Sequence, residues 1–242
     1  MGKLSCVTWN IHRAKGQDGR EDPARIQGAI ETAILPYKPD ILALQEADGE
    51  CRPHNRIIDV SQIADQTGLE YVHDRPELRW GPQSDGFLGT ILFLHPKMQR
   101  VHADVIDLPG HCHRGAISVE TLTDGQKCRV ISTHLSLSQP LRIIQMRIIG
   151  QYIRRRPTMQ TILLGDLNEW RPWGGLAFYP KIVGAALRGP AKPTFPSRRA
   201  FLALDRILTT APGRVEKATV IDHPSTNFAS DHRPLHGKVT VA

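Results

Sequence analysis

The sequence has 242 residues, of which 40% are hydrophobic and 23% are charged. This composition excludes a disordered chain, because the apolar residues are numerous enough to form a core. It also excludes a membrane span, because no apolar run approaches the roughly 20 residues that cross a bilayer. The formal net charge of +7 favours an anionic partner, such as nucleic acid, a phosphorylated metabolite or an anionic lipid.

The N-terminus and the cysteines indicate the compartment. Met1 is followed almost directly by a strand-like run, without the apolar core and cleavage site of a secretory leader, so we expect a cytoplasmic protein. The four cysteines form no CxxC pair, which predicts reduced thiols. The sequence His111-Cys112-His113 has two interpretations, metal ligands or a polar loop, and we favour the loop because adjacent residues do not easily converge on one ion.

The first half of the chain alternates short strands with helices. Leu4–Asn10 is typical of a strand, and Asp22-Pro23 is typical of a helix start, with an N-cap followed by proline. Ile26, Ile30 and Ile34 give this helix a buried stripe. A second, weaker helix is predicted over Asn55–Gly68. Further strands are predicted at Ile41–Gln45, Phe87–Leu94, Gln99–Asp107, Gly115–Leu122 and Lys127–Ser132.

The second half begins with the clearest helix, which opens at Ser138-Gln139-Pro140 and has a predicted apolar stripe of Leu141, Ile144, Ile148 and Tyr152. It ends in Arg154-Arg155-Arg156, either a solvated C-terminus favoured by the helix dipole or a phosphate contact. Trp170–Arg199 is predicted to be an irregular insertion. Strands are predicted at Thr161–Leu164, Phe201–Leu208, Arg214–Ile221 and Leu235–Val241. Many strands and few helices favour a sheet-dominated sandwich with outer helices, as one domain over residues 1–242.

Polar residues stand at the ends of several predicted strands, where a plain core would not need them. They are Asn10, Gln45-Glu46, Thr133-His134, Gly165-Asp166-Leu167-Asn168, Asp205 and Ser230-Asp231-His232. Crowded carboxylates persist only with a cation or shared protons, and oxygen ligands suit Mg²⁺ or Mn²⁺. Each element alone has an ordinary explanation, such as a turn or a solvated rim. Their ordered combination indicates phosphate chemistry with a hard cation.

This ordered combination resembles the endonuclease/exonuclease/phosphatase family of metal-dependent phosphoesterases, over essentially the full length. The motifs that carry the resemblance are Thr8-Trp9-Asn10-Ile11-His12, Gln45-Glu46, Thr133-His134-Leu135, Gly165-Asp166-Leu167-Asn168, Leu204-Asp205-Arg206-Ile207 and Ser230-Asp231-His232-Arg233-Pro234. Gly16-Gln17-Asp18-Gly19 is similar to the compact bacterial members. The resemblance implies an α/β fold, a four-layer sandwich of two central mixed β-sheets flanked by helices.

The resemblance also implies residue roles around the metal and the phosphate. Glu46 is implied to be the principal metal ligand, with Asn10 beside it and Asp231 completing the coordination sphere. His134 and Asn168 are implied to bind the scissile phosphate. The implied ion is Mg²⁺, with Mn²⁺ as the alternative.

Proton transfer is implied to involve a second set of residues. Asp166 orients or deprotonates the attacking water, and Asp205 fixes the tautomer of His232. His232 is either the general base or an acid that contacts the phosphate, and the sequence leaves that choice open. Arg114 is either a phosphate clamp or a surface residue. Gly86–Ile91 departs from the family, because many members carry an asparagine there, so a substrate contact from this strand is in doubt.

The implied function is a phosphoester hydrolase that uses in-line attack of water, with a diester as the favoured substrate. The positive charge and a set of candidate rim residues favour nucleic acid: Arg52, His54, Arg56, Arg79, Trp80, Trp170, Arg171, Trp173, Arg198 and Arg199. A phospholipid head group or a phosphorylated sugar or inositol is the alternative substrate. An alternative from another class is a catalytically silent binding module on the same fold.

Overall fold

A computed structural model describes residues 2–110 and 114–241 of the protein. The strands are β1 Gly2–Asn10, β2 Ile41–Gln45, β3 Glu70–Tyr71, β4 Ile91–Leu94, β5 Gln99–Leu108, β6 Arg114–Thr123, β7 Gln126–His134, β8 Gln160–Asp166, β9 Asp205–Thr209, β10 Val215–Val220 and β11 Leu235–Val241. The α-helices are α1 Pro23–Ala29, α2 Val60–Thr67, α3 Gln139–Arg155, α4 Pro180–Val183 and α5 Pro224–Ala229. Shorter helical turns are His12–Ala14, Ile30–Ile34, Leu35–Tyr37, Pro76–Leu78 and Leu176–Phe178.

The strands form two mixed sheets. The first has six strands in the order β10-β11-β1-β2-β4-β3, and the second has five in the order β5-β6-β7-β8-β9. Each sheet contains one parallel pair, β1 with β2 and β7 with β8, among antiparallel neighbours. This arrangement confirms the predicted two mixed sheets.

The core has three apolar layers, which together separate four layers of secondary structure. Side chains such as Ile41 and Ile162 pack between the two sheets. Ile26 of α1 and Ile63 of α2 pack on the outer face of the first sheet, and Ile149 of α3 packs on the outer face of the second. The protein is therefore the predicted four-layer α/β sandwich.

The strand register brings several polar strand ends to one edge of the sandwich. Asn10 is in register with Gln45 at the ends of the parallel strands β1 and β2. His134 is in register with Asp166 at the ends of the parallel strands β7 and β8. Asp205 begins the antiparallel strand β9 directly opposite Asp166. Both sheets thus contribute to the same rim.

The N-terminal helices follow the sequence signals closely, with one shortened start. The side chain of Asp22 accepts a hydrogen bond from Arg25 N at 3.3 Å and caps α1. The predicted stripe of Ile26, Ile30 and Ile34 is fully buried. The second helix begins at Val60 instead of residue 55, because the N-cap is Asp59.

Other parts of the structure also differ from the prediction, including the strand predicted from Phe201, which begins at Asp205, and the predicted irregular insertion, which contains α4. The strand predicted from Phe87 begins only at Ile91, because residues 87–90 form a tight turn in which Phe87 N donates to Thr90 O at 3.0 Å. The predicted stripe of α3 is confirmed only in part, since Ile148 and Tyr152 pack against the core but Ile144 is exposed and the fully buried face carries Arg142 and Gln145. The last helix, α5, has no counterpart among the predicted elements.

The structure bears on some of the sequence features that were used to predict the compartment. None of the helices in the described residues is both long and apolar enough to span a bilayer. Cys6, Cys51 and Cys128 are free thiols. The tripeptide 111–113 lies outside the described residues, so its two interpretations stay predictions.

Candidate active site

A cavity of about 450 Å³ opens at the edge where the strand ends meet. Seven of the nine predicted site residues line it: Glu46, Arg114, His134, Asp166, Asn168, Asp231 and His232. The other two, Asn10 and Asp205, lie directly behind the wall, and each is hydrogen-bonded to a residue that lines the cavity. The structure therefore gathers all nine predicted residues at one place.

Asn10 joins the two carboxylates that come from different sheets. Its Nδ2 donates to Glu46 Oε1 at 3.1 Å and to Asp166 Oδ2 at 2.9 Å. Its Oδ1 accepts a hydrogen bond from His12 N at 2.9 Å, so the orientation of the amide is fixed by a backbone donor. Asn10 is therefore an anchor for the carboxylates on both sides of the cavity.

Glu46 follows β2 in a left-handed conformation, with φ of 53°. The next residue, Ala47, donates its N–H to Gly89 O at 2.9 Å. The segment 86–91, which departs from the family pattern, is thus a turn that supports the backbone of Glu46. On the cavity side, Arg13 Nη1 lies 2.6 Å from Glu46 Oε2, and Arg13 Nη2 lies 3.3 Å from Glu50 Oε1. The negative charge of the Glu46 carboxylate is therefore balanced by the guanidinium of Arg13.

The donor set around Glu46 fits a hard divalent cation. Asp231 also lines the cavity, and its Oδ1 is buried without a hydrogen-bond partner, 3.7 Å from His12 Nδ1. This orphaned carboxylate oxygen, with the Glu46 carboxylate that lines the same cavity and the Asn10 amide behind it, offers the oxygen ligands that Mg²⁺ and Mn²⁺ prefer.

Asp166, Asp205 and His232 form a tighter group, with one ligand atom of each within 4.8 Å of the others. However, Asp205 Oδ2 already accepts from His232 Nδ1 at 2.8 Å and from Thr194 Oγ1 at 2.5 Å. Asp205 Oδ2 and His232 Nδ1 are therefore hydrogen-bonded to each other, whereas the oxygens of Asp166 accept from Asn10 and Asn168.

His232 is held as a cation. Burial opposes its protonation, but the carboxylates of Asp205 and Asp166 outweigh that effect and raise the pKa of His232 to about 10. Its Nε2 lies 3.7 Å from Asp166 Oδ2, and the ring of Phe195 packs on it with 4.9 Å between the ring centroids. At neutral pH the imidazolium therefore faces the cavity through Nε2.

The pKa values of Asp166 and His134 are shifted in opposite directions. Burial raises the pKa of Asp166 to about 6, although His232 acts in the other direction. Burial, reinforced by the charge of Arg114, holds the pKa of His134 well below its usual range, so this imidazole is neutral. Asn168 Nδ2 donates to Leu135 O at 2.8 Å and lies 3.2 Å from His134 Nε2. The same Nε2 also lies 3.4 Å from Asp166 Oδ2, so it stands between an amide nitrogen and a carboxylate.

Several residues of the cavity were not predicted from the sequence. Arg13 stands directly after the motif that contains Asn10 and belongs to none of the six motifs. Arg142 also lines the cavity, yet its place on a predicted amphipathic helix indicated only a solvated side chain. Leu137 and Trp170 form an apolar part of the wall. Only Trp170 carried a sequence signal, as an aromatic residue among the candidate rim residues.

The comparisons with known proteins concern the family and the fold. The model of the endonuclease/exonuclease/phosphatase family matches residues 7–232. The uncharacterized protein YbhP of Escherichia coli strain K12 is 24% identical over 251 aligned positions, which cover 98% of this chain and 96% of YbhP. The endonuclease/exonuclease/phosphatase of Bacteroides vulgatus superposes with a TM-score of 0.76 at 14% identity, over all of both chains. D. rerio TDP2, solved with a single-strand DNA product, superposes with a TM-score of 0.71 at 18% identity, again over all of both chains.

Proposed function

The chain belongs to the endonuclease/exonuclease/phosphatase family, and on that premise we propose that it is a divalent-metal-dependent phosphodiesterase with one catalytic domain over residues 1–242. The observation that carries the proposal is the charge-separated group of Asp166, His232 and Asp205 beside the acidic wall of Glu46 and Asp231. The group supplies a base and a cation within one cavity, which is what in-line hydrolysis of a phosphoester requires.

Asp166 is the base that we assign to the attacking water. A carboxylate with a pKa of about 6 is ionised at neutral pH and still close enough to it to exchange a proton efficiently. The hydrogen bonds from Asn10 Nδ2 and Asn168 N hold its two oxygens in place. This pattern favours Asp166 over His232, because His232 already carries its proton at neutral pH.

His232 then binds the phosphate as an imidazolium. Asp205 accepts from Nδ1, so Nε2–H is directed to the cavity, where it donates to a phosphate oxygen. Neutral His134 and the Arg114 guanidinium line the same cavity and are the further phosphate contacts. Asn168 has two roles in this proposal. Its amide orients His134, and it also contacts the phosphate.

Glu46, Asn10 and Asp231 are the residues that would hold the cation, Mg²⁺ or alternatively Mn²⁺, which polarises the phosphate as a Lewis acid. The nucleic-acid substrate favoured by the rim residues stays a prediction. Arg56 lies 3.8 Å from Asp85, and Arg171 pairs with buried Glu169 at 2.9 Å, so these two cations are already engaged within the protein. The cytoplasmic compartment also stays a prediction.

The test is Mg²⁺-dependent hydrolysis of a soluble aryl phosphodiester, with EDTA as the metal control. We expect Asp166→Asn to lower kcat/KM by about 10²–10⁴-fold, the usual contribution of a positioned base. Asp107→Asn on the exposed side of β5 is the matched control and retains full activity. Activity that survives both EDTA and Asp166→Asn contradicts the assignment, whereas a folded protein without any hydrolysis favours the binding module.

A further inference from the structure

The positive charge of the chain is concentrated in one segment. Residues 125–204 contain thirteen Lys and Arg but only two Asp and Glu, a net charge of +11, whereas the whole chain carries +7. The two acidic residues are Asp166 and Glu169, and both are buried. Arg129 and Arg142 are buried, and Arg156 and Arg171 are paired with Asp104 and Glu169, so nine exposed Lys and Arg remain to make the surface of this segment cationic.

The same segment presents apolar side chains to solvent. Seven of the nine large hydrophobic residues exposed among residues 2–110 and 114–241 belong to it. The most exposed are Leu137 at 78%, Trp173 at 75% and Phe201 at 70% of their full surface. Scattered apolar side chains are ordinary on a protein surface, but this concentration beside unbalanced cations marks an interaction surface.

Within this segment, α3, α4 and the loop before α4 form one layer on the outer face of the second sheet. Gly150 of α3 lies so close to α4 that a Cβ on it would be 1.9 Å from Val183 O. Arg171 Nη2 donates to Gln139 Oε1 at 2.8 Å, which ties the loop before α4 to the first turn of α3. We call the exposed side chains of this layer the α3 face. They include Leu137, Ile144, Arg147, Arg155, Trp173 and Leu176.

The α3 face adjoins the mouth of the candidate active site. Leu137, directly before α3, and Trp170, before the Trp173 turn, are both part of the cavity wall. A partner on the α3 face is therefore next to the site of phosphoester chemistry.

We propose that the α3 face docks on an anionic phospholipid membrane, so that the phosphodiester presented to the cavity is a lipid head group. The second clause rests on the proposed function; the first does not. Cationic side chains around exposed apolar ones are what interfacial segments use, since the cations attract anionic head groups and the apolar tips enter the acyl boundary. Trp173 provides the amphipathic ring suited to that boundary.

The aliphatic residues favour a membrane over a single-stranded nucleic acid. Nucleic-acid surfaces combine cations with rings on which bases stack. Leu137, Ile144 and Leu176 offer no such platform, yet they are exposed among the cations. Hydrocarbon contact gives these aliphatic side chains a role, whereas base stacking does not.

The proposal is tested by co-sedimentation of the full chain with vesicles of phosphatidylglycerol or of phosphatidylcholine. We expect binding to the anionic vesicles and at least about tenfold weaker binding to the zwitterionic ones, given about tenfold in affinity for each one or two cations at the surface. Trp173→Ser with Leu176→Ser, and separately Arg147→Glu with Arg155→Glu, should each weaken binding about tenfold or more. Val101→Ser is the control for an exposed apolar side chain, and Lys217→Glu with Lys238→Glu is the control for the change in net charge.

Each outcome decides between the proposals. Equal loss of vesicle binding in the variants and the controls overturns the α3 face as the docking surface, as does no binding to anionic vesicles. Binding of a single-stranded oligonucleotide that the α3-face variants abolish, without vesicle binding, overturns it in favour of nucleic acid. Vesicle binding is also measured with Asp166→Asn. If vesicles bind but the soluble diester is not hydrolysed, the docking surface stands and the proposed function fails.

Discussion

Among single residues, Arg13 has the most unusual setting. His12, Arg13 and Ala14 have positive φ values of 49°, 52° and 58°, which makes one left-handed turn from residues that carry Cβ atoms. Left-handed backbone costs roughly 1–2 kcal/mol per such residue, so the surrounding structure must impose it. The turn places Arg13 on Glu46 and His12 near Asp231. Two side chains are thus directed at the two carboxylates that we assign to the metal.

We predict that Arg13→Gln raises the affinity of the protein for Mg²⁺. The guanidinium pairs with Glu46 at 2.6 Å and competes with a second cation for the same carboxylate. An ion pair of about 1 kcal/mol corresponds to about fivefold in the dissociation constant, measured by isothermal titration calorimetry. Arg20→Gln is the control, because it removes the same charge from an exposed position of the neighbouring loop. Weaker Mg²⁺ binding in Arg13→Gln would instead make Arg13 a support of the metal site.

At the scale of elements, the strand ends were predictable and one helix face was not. Asn10, His134 and Asp166 end buried strands and Glu46 directly follows one, so the apolar run before each of them locates it at the rim. Apolar periodicity located only part of the buried face of α3, because it assigns every polar side chain to solvent.

The buried polar residues of α3 satisfy the backbone of neighbouring loops. Arg142 Nη1 donates to Ser136 O at 3.1 Å. Gln145 Oε1 accepts from Ser136 N at 2.8 Å, and its Nε2 donates to Pro109 O at 2.8 Å. These partners lie outside α3, in loops that the spacing of apolar residues along the helix does not describe. Nothing in the sequence around Gln145 indicates them. For the same reason Arg13 was missed, since its contact depends on a turn that no local signal requires.

We expect Gln145→Leu to destabilise the fold by about 1–3 kcal/mol. The substitution removes the part-buried hydrogen bonds to Ser136 N and Pro109 O, and each such bond contributes roughly 0.5–1.5 kcal/mol. Gln151→Leu, on the exposed side of α3, should change the free energy of unfolding by less than about 0.5 kcal/mol. Urea denaturation measures both. Equal effects of the two substitutions would show that the contacts of Gln145 are not stabilising.

Over the whole molecule, the site is shared between the sheets. The first sheet supplies Asn10 and Glu46, and the second supplies His134, Asp166 and Asp205. The hydrogen bond from Asn10 to Asp166 therefore crosses from one sheet to the other. The geometry of the site depends on how the two sheets pack, so catalysis and global stability are coupled through the core between them.

Global stability also depends on pH, through a buried histidine remote from the cavity. Burial lowers the pKa of His73 to about 4, and the residue is fully buried. Its Nδ1 lies 2.7 Å from Leu78 O, and its Nε2 accepts from Leu92 N at 3.2 Å. If Nε2 were protonated, its N–H would face the N–H of Leu92, and two hydrogen-bond donors would point at each other. The folded protein therefore admits a neutral His73 only.

We predict that His73 makes the protein less stable as the pH falls from about 6.5 to about 4. In that pH range, His73 of the unfolded chain has an ordinary pKa of about 6.5 and is protonated, whereas His73 of the folded chain is still largely neutral. The full contribution is present above pH 6.5, and about 3 kcal/mol is lost by pH 4. Because buried carboxyl groups titrate in the same range, the measurement is the difference between wild type and His73→Gln in urea unfolding at successive pH values. Wild type should lose about 3 kcal/mol more than the variant, whereas His102→Gln, at an exposed position of β5, should follow wild type. Parallel curves for wild type and His73→Gln would mean that His73 is accessible to protons in the folded state.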